Sequence, residues 1–85
     1  MSPAQQIYSA EFDRRFFTLP PAIREQIQAK IDELGLRLQS FPHHRMKGCE
    51  TFRLRAGDYR VIYQFNAARG QIFLITLGHR REIYR

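Results

Sequence analysis

The sequence predicts a single α+β domain. It consists of an N-terminal strand, an antiparallel helical hairpin and a three-stranded antiparallel β-meander, with the helices packed on one face of the sheet. Three observations predict it. Apolar residues keep helical spacing as far as Leu38, then switch to strand-like alternation after Thr51. Proline and glycine punctuation falls between those stretches, at Pro20-Pro21, Phe41-Pro42, Gly57-Asp58 and Ala67–Gly70. The chain of 85 residues has room for one domain, 1–85, with a small core.

Ile7 and Tyr8 lie in a short β-leaning opening segment that can join the sheet. Ser9 offers a helix N-cap, and Glu11 and Asp13 place negative charge in the first turn, where the helix dipole favours it. Phe12, Phe16 and Leu19 recur at helical spacing. Pro20-Pro21 ends that helix and starts the next, because proline is tolerated at the first helical position. Ile23, Ile27, Ile31, Leu34 and Leu38 form an apolar stripe that predicts an amphipathic helix to about Ser40, stopped by Phe41-Pro42.

Thr51 to Arg55 then alternates, with Phe52 and Leu54 on one face. Gly57-Asp58 suits a type II′ hairpin. Tyr59 to Phe65 is rich in β-branched and aromatic residues, and Gln71 to Leu77 is apolar on both faces. A two-residue loop at Gly57-Asp58 sets Ala56 opposite Tyr59, Arg55 opposite Arg60, Leu54 opposite Val61, Arg53 opposite Ile62 and Phe52 opposite Tyr63. Carried through a four-residue second loop, Arg60 falls opposite Leu77.

The charge is segregated. Met1 to His44 holds five basic and five acidic residues, whereas Arg45 to Arg85 holds nine basic and three acidic ones. Eight of those nine are arginine, whose planar fork of donors matches phosphate oxygens in pairs. The excess fits a nucleic acid, or an acidic protein partner. The single cysteine, Cys49, excludes a disulfide framework. No apolar run approaches the roughly 18–20 residues of a membrane span, and no signal peptide is visible, so a reduced, cytoplasmic setting is expected.

Arg53, Arg55 and Arg60 share the face opposite Leu54 and Val61, and Arg80 in the tail falls close to them. Directly opposed arginines repel, and an anion between them reverses the sign; splaying into solvent, or pairing with Asp58 and Glu82, is the alternative. His79 and Tyr84 flank Arg80 as candidate proton-handling groups, with Glu50 a weaker one. His43, His44, Cys49 and His79 match no standard zinc spacing, and the sequence has no Gly-rich phosphate loop and no cofactor motif. Chemistry on a phosphodiester would then proceed without metal. RNA offers such a route, because its own 2′-hydroxyl is the nucleophile.

The stretch RMKGCETFRLRAGDYRVIYQF, followed by LGHRREIYR, resembles the RelE family of the RelE/ParE toxin superfamily, and IYSAEFDRRFFTLPPAIREQIQAKIDELG fits that family's first strand and helical hairpin. The resemblance implies a type II toxin: a ribosome-dependent mRNA interferase that enters the ribosomal A site, cuts mRNA by 2′-hydroxyl attack and is held by a cognate acidic antitoxin. It places Arg53 and Arg55 at two basic strand positions that are often lysine, Arg60 and Arg80 at phosphate-stabilising arginines, and Tyr84 at a C-terminal tyrosine. His79 stands where lysine is frequent. Arg45, Lys47, Arg53, Arg55, Arg81 and Arg85 are the expected RNA contacts. Arginine at both 53 and 55 removes a lysine-type base, and the C-terminal helix of some members is not expected. The same superfamily holds ParE-type toxins, which inhibit DNA gyrase without nuclease activity; a degenerate homologue that only binds an antitoxin is a third possibility.

Overall fold

The computed structural model describes residues 3–46, 48 and 50–83. Strand β1 (Gln5–Tyr8) leads into α1 (Ala10–Phe16) and α2 (Pro21–Leu36). Four strands follow: β2 (His44–Arg45), β3 (Phe52–Ala56), β4 (Tyr59–Asn66) and β5 (Gln71–His79). A single turn, α3 (Arg80–Ile83), closes the described chain. The sheet has five strands in the order β1-β5-β4-β3-β2. The meander is antiparallel as expected, and β1 joins it alongside β5 in parallel.

Ser9 caps α1: its Oγ accepts the Phe12 N–H at 2.9 Å. Pro20 and Pro21 cap and open α2. The stripe of Ile27, Ile31 and Leu34 joins Phe12 of α1 over Leu54, Ala56, Val61, Tyr63, Ile72, Leu74 and Leu77 of the sheet, so both helices bury their apolar faces in one core. α2 stops at Leu36, short of the expected Ser40. The Gly35 carbonyl, which the Gln39 N–H would use in a longer helix, accepts instead from Ala4 N at 3.0 Å, and the chain turns through Arg37, whose carbonyl accepts from Ser40 and Phe41. Leu38 still reaches the core, through that turn rather than through the helix.

The β3–β4 register is the one the sequence predicts, residue for residue, with Arg55 opposite Arg60. Gly57 takes φ +61°, which the first central position of a type II′ turn requires. The β4–β5 register is corrected by one residue: Arg60 lies opposite Gly78, not Leu77. A β-bulge opposite Ile62/Tyr63 inserts the extra residue. Its physical cause is the core. Leu74 and Leu77 are three apart and would face opposite sides of a regular strand, yet both are buried in the same cluster; the bulge resets the alternation between them. Ser9 holds the bulged backbone, with its N–H on the Leu74 carbonyl at 2.9 Å and its hydroxyl on the Ile75 carbonyl.

Strand β2 is the element the sequence did not predict. Two residues are too few to show a period. His44 pairs with Arg53 and Arg45 with Phe52.

Candidate functional site

The sheet face away from the helices is built by alternation. Leu54, Val61 and Tyr63 point into the core, so Arg53, Arg55 and Arg60 point the other way. There the three arginines and His44 line one concavity of about 330 Å³. Ile62, buried yet separate from the helix-side core cluster, lies on the same face between Arg53 and Thr76.

The guanidiniums are held differently. Arg60 Nη1 donates to the carbonyls of Gly57 at 2.8 Å and Tyr59 at 2.9 Å, so its side chain is oriented by the hairpin turn, while Nε and Nη2 make no hydrogen bond among the described residues. Arg55 is exposed and forms no ion pair among the described residues. Arg80 is outside the concavity, at the hairpin tip: its N–H donates to the Asp58 carbonyl at 2.7 Å and its Nε lies 3.8 Å from Asp58 Oδ1. Arg60 and Arg80 are thus both anchored to the same two-residue turn, Arg60 through the Gly57 carbonyl and Arg80 through Asp58.

His79 lies elsewhere than expected. It pairs with Tyr59, whose side chain packs against the helix-side core, and the two rings meet edge to face at 5.6 Å. The bulge is the reason: with the register shifted, Gly78 takes the place beside Arg60, and His79 alternates to the far face, in a concavity with Arg15, Leu19 and Glu82. Its Nδ1 accepts the Arg81 N–H at 3.2 Å. Arg45 also turns from the arginine face and sets its guanidinium 5.6 Å over the Phe52 ring. Arg81 is exposed on α3. Lys47, Tyr84 and Arg85 lie outside the described residues.

The two adjacent histidines divide between the faces. His43 is structural. It stacks on Phe65 at 3.9 Å, its Nε2 donates to the Leu38 carbonyl at 2.7 Å and its Nδ1 faces the Tyr63 hydroxyl at 2.6 Å. Burial pushes the Tyr63 phenol well above its ordinary pKa, so it remains the neutral donor in that pair. His44 goes to the arginine face. Sequence reasoning weighed it only as a metal ligand, because no periodic signal marks β2.

A convergent set of guanidiniums on an open sheet face can hold a phosphodiester and neutralise charge that develops on it. The chain matches, over residues 7–84, the family model described as the ParE toxin of the type II toxin–antitoxin system, parDE. It is a type II toxin of the RelE/ParE superfamily. The toxin is 29% identical to the mRNA interferase toxin RelE of Escherichia coli K12, over 91% of this chain and 90% of that one. Its fold matches a RelB–RelE-type toxin–antitoxin complex from Mycobacterium tuberculosis with TM-score 0.76, 22% identity and coverage of 96% and 97%. It also matches the archaeal RelE–RelB complex from Pyrococcus horikoshii with TM-score 0.73, 23% identity and coverage of 95% and 99%. Among the described residues no helix of the toxin is long and apolar enough to cross a membrane.

Proposed function

We propose that the toxin is a ribosome-dependent endoribonuclease that cleaves mRNA in the A site by attack of the RNA's own 2′-hydroxyl, without a metal ion. The observation that supports it best is the single concavity shared by Arg53, Arg55 and Arg60. In the reaction the 2′-oxygen bonds to phosphorus and the bond from phosphorus to the 5′-oxygen breaks, leaving a 2′,3′-cyclic phosphate and a 5′-hydroxyl. Arg60 stabilises the added negative charge on phosphorus, and Arg80, at the hairpin tip outside the concavity, is assigned a supporting share of that role from its place in the sequence. Arg53 and Arg55 hold the mRNA phosphate. Tyr84 is assigned a proton-handling or base-stacking role from its place in the sequence. DNA lacks the 2′-hydroxyl and is spared. The same cationic face suits an acidic antitoxin segment, which on binding there would block mRNA.

The test is induction of the toxin alone in a bacterium, followed by primer extension on cellular mRNA. Codon-phased cuts, lost in Arg60→Ala while that variant stays folded, are expected. Unchanged growth arrest in Arg60→Ala would remove the catalytic assignment. The ParE description of the matching family favours a second reading, a gyrase-directed toxin without nuclease activity. Trapped gyrase–DNA complexes with intact mRNA would establish that one instead.

A further inference from the structure

We propose that His44 is the general base of this toxin: its imidazole takes the proton of the attacking 2′-hydroxyl. The assignment rests on the endoribonuclease function proposed above and completes it. Three of the four side chains lining the arginine concavity are guanidiniums. Guanidiniums stay protonated in proteins and have donors only, so they hold phosphate and spread charge but have no lone pair to receive a proton. Transphosphorylation needs a proton acceptor at the 2′-oxygen, and among the described residues that line the concavity His44 is the one with a lone pair to offer.

Its position follows from strand pairing. His44 lies directly opposite Arg53 across β2 and β3, so the two side chains share a face, and Arg55 follows two residues along that face. The other described histidines are otherwise engaged. His43 has both ring nitrogens bonded within the aromatic core, and His79 is on the far face of the sheet with Nδ1 bonded to Arg81. His44 is exposed, and its ring makes no hydrogen bond among the described residues. Imidazole is also the side chain that ordinarily changes charge near neutral pH, which suits a base that must be regenerated each turnover.

The groups that face His44 across the concavity are Arg53, Arg55 and Arg60, all cationic. In the step, the 2′-hydroxyl proton moves to an imidazole nitrogen as the bond from the 2′-oxygen to phosphorus forms. The bond to the 5′-oxygen breaks, that oxygen takes a proton from water, and the imidazolium returns its proton to solvent.

The experiment is single-turnover cleavage of mRNA on programmed ribosomes by wild-type toxin, His44→Ala and His44→Gln across pH 5.5–8.5, each variant first checked for an unchanged melting temperature. A loss of about 10²–10⁴ in the cleavage rate is expected, the scale of a missing general base. Loss of the acid limb of the pH–rate profile, and partial recovery of His44→Ala with added imidazole, are expected with it. A substrate with sulfur in place of the leaving 5′-oxygen should leave His44→Ala as slow as before; recovery with that substrate would make His44 the acid and overturn the base assignment. Cleavage by both variants within threefold of wild type would overturn it outright. Absence of cleavage by the wild-type toxin would overturn the proposed function itself, and this assignment with it.

Discussion

Arg55 and Arg60 stand directly opposite each other on adjacent strands, on the sheet face turned away from the helices. Like charges in that relation are destabilising, so the pair marks a surface selected for something other than stability. Replacing Arg55, which has no ion pair among the described residues, by glutamine should raise stability at low salt by a few tenths to about 1 kcal/mol. The gain should vanish near 1 M salt, where the repulsion between exposed charges is screened beyond about 3 Å. Thermal unfolding at the two salt concentrations checks the stability effect, and RNA binding by the same variant should weaken.

The His43–Tyr63 contact predicts a different signature. Tyr63→Phe removes the hydroxyl that meets His43 Nδ1 and leaves that nitrogen unpartnered among aromatic rings. The cost should be about 1–3 kcal/mol, read from urea unfolding. Cleavage per folded molecule should not change, because this pair is on the core side of the sheet.

Ser9 holds together two elements that are distant in sequence. Its hydroxyl caps α1 through Phe12 N and reaches the Ile75 carbonyl in the bulge of β5. Ser9→Ala should cost about 1–2 kcal/mol, at the upper end for an N-cap because the bulge loses its tether as well. Ser9→Thr keeps the hydroxyl and should recover part of the loss; chemical denaturation of both variants makes the comparison.

Two glycines should respond in opposite directions. At Gly35 an added Cβ meets nothing closer than 3.7 Å, so Gly35→Ala should stabilise α2 by about 0.5–1 kcal/mol. At Gly57, with φ +61°, a Cβ would lie 2.6 Å from Gln26 Nε2. Gly57→Ala should therefore lower the melting temperature and weaken RNA binding, since the same turn orients Arg60 through the Gly57 carbonyl.

Local signals determined most of the architecture. Ser9, the two prolines, the Ile27–Ile31–Leu34 stripe and Gly57-Asp58 act through capping, ring closure, helical period and positive φ, all of which a few neighbouring residues set. That is enough to place Arg53, Arg55 and Arg60 on one face from the sequence alone, because strand alternation across a two-residue turn admits one register. The tertiary structure decided the rest. Core packing demanded that Leu74 and Leu77 face the same way, and the resulting bulge moved Gly78 beside Arg60 and carried His79 across the sheet. Pairing with β3 made a strand of two residues that have no periodicity of their own, and so brought His44 to the arginines. Both outcomes depend on partners far away in the chain, where a local pattern has no information.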